Sequence, residues 1–162
     1  MNSLVQKNLK GEGMISKILV PTDGSKTAQK AARYAVDLAK QLKASIIILS
    51  VFDWSSFMSR ASSDAFVTPR ELESMESSLK EAAMKHGEAV KKRCDKHGIQ
   101  SKTIITTGHP VEAIVKEAKR SKADLIVMGS HGRSALAAAV LGSVAYGVMH
   151  RDMKVPVLVV KR

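Results

Sequence analysis

The sequence predicts an α/β fold in which helices cover both faces of an open, five-stranded parallel sheet. First, short apolar runs of strand length alternate along the chain with segments of helical periodicity. Second, clusters of turn-forming residues follow the first and the fourth apolar run. Third, the 162 residues are rich in small aliphatic side chains and only 4% aromatic, which suits one domain with a core between sheet and helices.

The first part of the chain contains two predicted strands joined by one helix. Residues 16–20 form a short apolar run, and the turn cluster of residues 21–25 ends it. Alanines and leucines at helical spacing predict a helix over residues 26–42, which either Ser25 or Asp23 can cap. Residues 45–51 are almost continuously apolar, as expected for a strand that is buried on both faces.

Residues 52–69 interrupt this alternation with a serine-rich stretch that carries Trp54, Phe57, Met58 and Phe66. Long irregular segments inside a compact domain are usually functional or mobile, so we interpret this one as a lid or interface segment, with plain disorder as an equal alternative. A long helix follows over residues 71–97. The helical spacing places one set of residues toward one side of this helix: Leu72, Met75, Leu79, Ala82, Ala83, His86, Val90 and Cys94.

The remaining elements continue the alternation. Residues 100–106 form the third predicted strand, Pro110 fits the first position of a helix over residues 111–122, and residues 125–128 form the fourth strand. A glycine-rich loop, a short helix over residues 145–149 and a fifth strand over residues 155–160 complete the chain. Residues 1–13 are polar and contain two glycines, so we expect a disordered leader before a single domain over residues 14–162.

Right-handed crossovers leave few possible orders for five parallel strands. The Rossmann-like order 3-2-1-4-5 makes the first and fourth strands neighbours whose connections leave toward opposite faces. That position is a topological switch point, where ligands bind at the carboxyl ends of the strands. The two loops that follow these strands, residues 21–25 and 129–143, are therefore expected to line one crevice.

Charge and cysteine content limit the possible functions. The formal net charge of +11 permits binding to phosphates, nucleic acid or anionic membranes, but basic residues without interleaved aromatic side chains do not favour nucleic acid. No apolar run approaches membrane-spanning length. The single cysteine, Cys94, excludes an intrachain disulfide and fits a reducing compartment; we expect it to be half-buried on its helix. His86 and His97 are expected at the surface or at a helix end.

The glycine-rich loop has the spacing glycine, two residues, glycine, nine residues and glycine-serine, from Gly129 through Gly132 to Gly142. This spacing is neither the P-loop motif nor the usual dinucleotide fingerprint. Glycines between a strand and a helix allow an anion to approach backbone amides, and a Cβ at Gly142 would fill the space that a phosphate needs. The candidate amide donors belong to Gly132, Arg133, Gly142, Ser143 and Val144.

Several side chains have two interpretations each. Ser143 can bind a phosphate or cap the last helix. Arg133 can neutralise a phosphate or remain a solvated loop residue, and His131 is a weaker candidate contact. Asp23 can accept from a ribose hydroxyl, hold a divalent metal ion or cap the first helix. A purine would fit near Pro21, Thr22, Val51 and Met128.

The pattern contains no nucleophile beside a base and no paired carboxylates, so we expect no catalytic residues and at most slow hydrolysis.

At this point the motifs resemble the universal stress protein family. The resemblance rests on MGSHG at residues 128–132 with the later Gly142-Ser143, on KILVPTDGS at 17–25, on GHP at 108–110, on ADLIV at 123–127 and on VPVLVV at 155–160. It covers residues 16–162.

Because every glycine of the loop and its serine are kept, the chain resembles the branch of the family that binds ATP. That resemblance implies phosphate contacts at Gly129, Gly132, Gly142, Ser143 and Val144. It implies adenosine contacts at Pro21, Thr22, Asp23, Val51 and Met128, with Mg²⁺ or Mn²⁺ near the phosphates. It also implies a cytoplasmic homodimer joined through the last strand, and an apolar edge over Val157 to Val160 is a liability unless it is paired.

Three functions remain open from the sequence. The first is an ATP-dependent stress-response switch or sensor that is not an enzyme. The second is a slow ATPase or a nucleotidyl- or phosphoryl-transfer enzyme that uses the same loop. The third is a nucleotide-free dimeric adaptor whose basic surface binds a partner or nucleic acid. The relevant ligand can be ATP, AMP or a cyclic nucleotide.

Overall fold

The structure is a computed structural model that describes residues 15–61, 68–133 and 141–161. The predicted leader, residues 1–13, lies outside these ranges. In chain order, the elements are β1 Lys17–Pro21, α1 Lys26–Leu42, β2 Ser45–Phe52, α2 Trp54–Ala61, α3 Pro69–Lys96, β3 Ser101–Thr107, α4 Pro110–Ser121, β4 Leu125–Gly129, α5 Ser143–Met149 and β5 Val157–Val160.

The five strands form one parallel sheet in the order β3-β2-β1-β4-β5, so the predicted strand order is confirmed. Alternate residues of β1 point to opposite faces. Ile18 and Val20 pack with α1 and α3, whereas Leu19 packs with α4 and α5. Helices therefore cover both faces, as predicted, and β1 and β4 are neighbours at the centre.

The alanine-rich face of α1 explains how this helix packs closely on the sheet. Ala31, Ala35 and Ala39 are fully buried, which allows the helix backbone to approach the strands. The side chain of Ser25 caps α1 by accepting a hydrogen bond from the amide of Ala28 at 3.2 Å. Of the two predicted caps, Ser25 is therefore the one used.

The prediction of an irregular segment over residues 52–69 is wrong where the structure describes it. Strand β2 continues to Phe52, and residues Trp54–Ala61 form the helix α2. Trp54 and Phe57 are one helical turn apart, and their rings stack with centroids 5.6 Å apart. The abundant serines concealed this helical spacing. Residues 62–67 lie outside the described part.

Helix α3 begins at Pro69, two residues before the predicted start. Thr68 forms a capping box with Glu71, in which each side chain accepts from the other residue's backbone amide. The residues predicted to share one side of this helix are buried or partly buried, and Cys94 is fully buried rather than half-buried. Burial raises the pKa of the Cys94 thiol, which disfavours the reactive thiolate. None of the described helices is both long and apolar enough to cross a membrane.

Asp124 joins the amino ends of β1 and β4. Its Oδ2 accepts hydrogen bonds at 2.9 Å from the Ser16 amide, the Ser16 hydroxyl and the Lys17 amide. Burial raises the pKa of Asp124, but these hydrogen bonds outweigh it and lower the pKa below the ordinary 3.8. The stabilisation is therefore present above pH 3.8 and is lost as the pH falls through the lower folded-state value.

We expect Asp124→Asn to lower the free energy of unfolding near neutral pH by about 1 kcal/mol or less, because Asp124 is still partly exposed to solvent and neutral hydrogen bonds replace charged ones. Urea unfolding between pH 7 and pH 3 measures this change. The difference from the parent protein should shrink toward low pH, where Asp124 becomes protonated. Asp37→Asn, on the exposed side of α1, is the matched control. An equal loss in both variants would contradict the role of Asp124.

Candidate functional site

The loops that follow β1 and β4 are in direct contact at the carboxyl end of the sheet. The amide of Arg133 donates to Oδ2 of Asp23 at 3.1 Å. The hydroxyl of Ser25 donates to the carbonyl of His131 at 3.3 Å, and the Thr27 hydroxyl donates to the same carbonyl. The expectation that both loops line one region at the switch point is therefore confirmed.

Asp23 connects the two loops instead of capping α1. Its Oδ1 accepts a hydrogen bond from the amide of Ser25 at 3.0 Å, and its Oδ2 accepts one from the backbone amide of Arg133. The alternative that Asp23 caps the first helix is wrong, because Ser25 occupies that position. The carboxylate remains partly exposed beside Gly132. It can therefore accept further hydrogen bonds or contact a cation from the solvent side.

The predicted adenosine contacts differ in accessibility. Pro21 and Val51 are partly exposed near the ends of β1 and β2. Thr22 and Met128 are only 6% and 4% exposed, and the Thr22 amide donates to the carbonyl of Leu49 at 2.9 Å. A ligand at this edge would therefore meet mainly Pro21 and Val51, and only the margins of the two buried residues.

The glycine loop returns on itself beside β4. Ser130 donates its amide to the carbonyl of Val160 at 2.9 Å, and its own carbonyl accepts from the amide of Gly142 at 2.7 Å. These bonds bring Gly142 next to residues 130–132, while residues 134–140 lie outside the described part. Two of the five predicted phosphate donors, the amides of Gly142 and Arg133, thus already have acceptors within the protein.

The predicted start of the last helix, residue 145, is two residues late. Gly142 is the N-cap without a side-chain hydrogen bond, and Ser143 is the first helical residue, so Ser143 does not cap the helix. The amides of Ser143 and Val144 lie in the first turn, where a helix supplies no partner for them. Both residues retain exposed surface at the edge of the sheet.

Three glycines permit the close contacts around this site. A Cβ on Gly129 would lie 2.8 Å from the backbone of α1, and one on Gly132 would lie 2.9 Å from Oδ2 of Asp23. A Cβ on Gly142 would lie 3.0 Å from the Ser130 carbonyl oxygen. The expectation that this Cβ would fill space for a phosphate is therefore corrected, because it points at the loop itself.

His86 of α3 belongs to this region, and placing it at the surface or at a helix end was wrong. Its ring lies against Gly24, where an added Cβ would be 2.2 Å from Nδ1, and its Nε2 is buried without a hydrogen-bond partner in the described structure. Burial lowers the pKa of His86; Arg133 lowers it further, and Asp23 opposes the shift. The sequence signal for this placement was that His86 shares one side of the helix with the apolar residues. His97 is exposed at the end of α3, as predicted.

Comparisons with known proteins identify the family. The model of the universal stress protein family matches residues 14–161. The chain belongs to this family. Universal stress protein MJ0531 of Methanocaldococcus jannaschii is 36% identical over 162 residues, which cover 100% of this chain and 89% of that protein. Universal stress protein MJ0577 of the same organism is 40% identical over 161 residues, covering 92% of this chain and 96% of that protein.

Solved structures support the same assignment. The structure of MJ0577 matches this universal stress protein with a TM-score of 0.76 and 35% identity, covering 93% of this chain and 98% of that one. A universal stress protein solved in complex with cAMP matches with a TM-score of 0.59 and 27% identity, covering 92% and 98% of the two chains. The family resemblance that the sequence motifs indicated is therefore confirmed.

Gly24→Ala should destabilise this universal stress protein for two reasons. Gly24 has φ +77°, and the new Cβ would collide with the His86 ring. We expect a loss of about 2–4 kcal/mol in the free energy of unfolding, combining the left-handed backbone with overpacking. Chemical denaturation measures it.

The collision with His86 can be separated from the backbone strain. Gly98→Ala is the control, because Gly98 has φ +66° but open space around its missing Cβ. When His86→Ala is the background, the cost of Gly24→Ala should fall to that of Gly98→Ala. An unchanged cost in that background would contradict the His86 contact.

Proposed function

We propose that this universal stress protein binds an adenine nucleotide, ATP in particular, and acts as a nucleotide-dependent switch or sensor in the stress response. The observation that carries the proposal is the 3.1 Å contact between Asp23 and the Arg133 amide. This contact brings a ribose-type acceptor, the glycine loop and a helix start together at the switch point, where α/β sheets bind ligands. The related protein in complex with cAMP supports adenine nucleotides as the class of ligand.

The proposed site divides into two parts. The adenosine part uses the partly exposed Pro21 and Val51, the edges of Thr22 and Met128, and the carboxylate of Asp23. The phosphate part is formed by Gly129, His131, Gly132, Arg133, Gly142, Ser143 and Val144. Among these, the first-turn amides of α5 and the exposed Gly132 are the most accessible donors.

A metal ion would depend mainly on the phosphates of the nucleotide. The described residues contain no group of three or more His, Cys, Asp or Glu side chains that could hold a metal. Asp23 is the carboxylate at the loop contact, and Mg²⁺ or Mn²⁺ commonly binds one carboxylate together with phosphate oxygens and water. Asp23 therefore fits such an ion only as a single protein ligand.

The described side chains favour a switch over an enzyme. Ser130 and His131 place a hydroxyl 2.9 Å from an imidazole nitrogen, but Ser130 is only 1% exposed and holds the base of the loop. A nucleophile closed to solvent cannot reach a bound substrate. We accordingly propose binding without dedicated catalysis. A cytoplasmic location is also part of the proposal, because the single Cys94 fits a reducing compartment.

Calorimetric titration of nucleotide-free protein with ATP and Mg²⁺ tests the proposed function. We expect saturable binding and negligible ADP in the same sample afterwards. Binding with steady ADP production would favour the enzyme alternative. Absence of binding would leave the adaptor alternative and contradict the proposal. Titrations with AMP and cAMP, run alongside, determine which adenine nucleotide binds most tightly.

We further propose that two copies pair through β5. Val157–Val160 form an edge strand of the sheet, and all four residues retain partial exposure. An apolar edge strand is a site of aggregation unless another strand or element covers it. Light scattering after size exclusion should therefore give twice the 17.5 kDa mass of one chain. A monomer mass at micromolar concentration would contradict this pairing.

A further inference from the structure

A cavity of about 720 Å³ lies between the start of α1 and the first residues of the glycine loop. Its walls are formed by Ser25, Lys26, Thr27, Lys30, Arg33, His131, Gly132 and Arg133. The volume falls within the roughly 300–1,000 Å³ range of small-molecule sites. We call this cavity the basic cleft. Five of its lining residues belong to the α1 side and are outside the proposed nucleotide contacts.

The basic cleft concentrates positive charge. Lys26, Lys30 and Arg33 are spaced to lie along one side of α1, all three are exposed, and Arg133 faces them from the loop. None of the described lining residues is a carboxylate, and no ion pair found among the described residues involves these four cations. Asp23 lies beside the cleft, where one of its oxygens is occupied by the Arg133 amide.

This arrangement is unfavourable for the free protein. Like charges one helical turn apart, as at Lys26 and Lys30, repel each other. The first turn of α1 contains no acidic residue to complement the positive end of the helix dipole. A bound anion would relieve both effects, and several cations on opposite walls favour an anion with several charged groups rather than one.

We propose that the basic cleft binds a polyphosphate chain. The described lining residues include no Phe, Tyr or Trp on which a base could stack, so the cleft suits phosphates rather than single-stranded nucleic acid. The chain can come from two sources, the phosphate end of a nucleotide in the adjacent site or a separate polyphosphate. His131, Gly132 and Arg133 also belong to the proposed nucleotide site. The basic cleft therefore adjoins that site, and the phosphates of a bound nucleotide could reach it.

Titration with inorganic tripolyphosphate tests the inference without any nucleotide. We expect saturable binding to the parent protein and about tenfold or greater weakening in the double variant Lys30→Glu/Arg33→Glu, because charged hydrogen bonds are lost. The control is Lys92→Glu/Arg93→Glu, two exposed residues in the last turns of α3 that change the net charge equally. Equal weakening in both double variants, or no binding to the parent, would overturn the inference.

Competition identifies the source of the chain and separates this inference from the proposed function. If the nucleotide supplies the chain, saturating ATP should block tripolyphosphate while AMP does not, and Lys30→Glu/Arg33→Glu should weaken ATP but spare AMP. If a separate polyphosphate binds, it should bind equally with and without ATP. Variant-sensitive tripolyphosphate binding in a protein that binds no nucleotide would support the cleft and contradict only the proposed function.

Discussion

Gly142→Val is expected to weaken ATP binding strongly in a protein that remains folded. The new side chain would start 3.0 Å from the Ser130 carbonyl oxygen and 3.1 Å from the His131 Cα. Both neighbours are backbone atoms, so the loop must move to make room. The movement would also break the 2.7 Å hydrogen bond between the Gly142 amide and Ser130.

In the free protein, the loop can move away and relieve this steric strain. The proposed ATP complex needs the loop close to α5, so the strain energy would reduce the binding free energy. Overpacking typically costs about 1–3 kcal/mol, which corresponds to a roughly fivefold to 150-fold loss of affinity. Calorimetry with ATP and Mg²⁺ measures the loss, and thermal unfolding by circular dichroism shows whether the variant is folded.

Gly98→Ala is the matched control for this experiment. Gly98 lies just beyond the end of α3, away from the glycine loop, and an added Cβ there would have nothing within 4 Å. This variant should lose some stability but keep the ATP affinity of the parent. A folded Gly142→Val protein that binds ATP within twofold of the parent would contradict the placement of the phosphates on this loop.

The sheet order could be predicted from the sequence because it depends on the pattern of apolar runs. Continuous apolar runs such as Ser45–Phe52, separated by helical segments, require parallel strands with crossovers, and the handedness of crossovers restricts their order. The position of both loops at one edge followed from that order alone. No side-chain detail was needed, which explains why this part of the prediction was correct.

Helix boundaries were harder to predict where capping residues are ambiguous. Glycine and serine are both acceptable N-caps, so the sequence alone did not place the start of α5 at Ser143 with Gly142 as its cap. The helix α2 was missed because serine has a low helix propensity and is frequent in turns, so a serine-rich stretch does not predict a helix. The start of α3 was also placed two residues late, although the sequence contains a signal for it. Thr68 and Glu71 have the spacing of the capping box that they form in the structure.

The partners of side chains in the candidate site could not be predicted from the sequence. Asp23 and the Arg133 amide are 110 residues apart, and their contact depends on how two loops end at the same edge. The His86 ring meets Gly24 only because α3 crosses beside the β1–α1 turn. Periodicity gives the face on which His86 lies but not the backbone that it contacts.

Gly129→Ala is expected to be among the most destabilising single-methyl changes in this protein. The added Cβ would lie 2.8 Å from the amide nitrogen of Ala28 and from the carbonyl carbon of Thr27. These are backbone atoms in the first turn of α1, where Thr27 and Ala28 are 5% and 4% exposed. No side-chain rotation can relieve the contact, so α1 must move away from β4. We expect a loss of about 3 kcal/mol in the free energy of unfolding.

Denaturant unfolding measures this loss, and Gly147→Ala provides the comparison. A Cβ on Gly147 would lie 2.7 Å from a methyl of Val111, which is a side-chain atom that can shift, so its cost should be clearly smaller. Movement of α1 would also pull the Thr27 hydroxyl from the His131 carbonyl, so ATP affinity should fall with stability in Gly129→Ala but not in Gly147→Ala. Equal costs in the two variants would show that α1 can yield at its start, and the coupling between this helix and the glycine loop would then be weaker than the structure indicates.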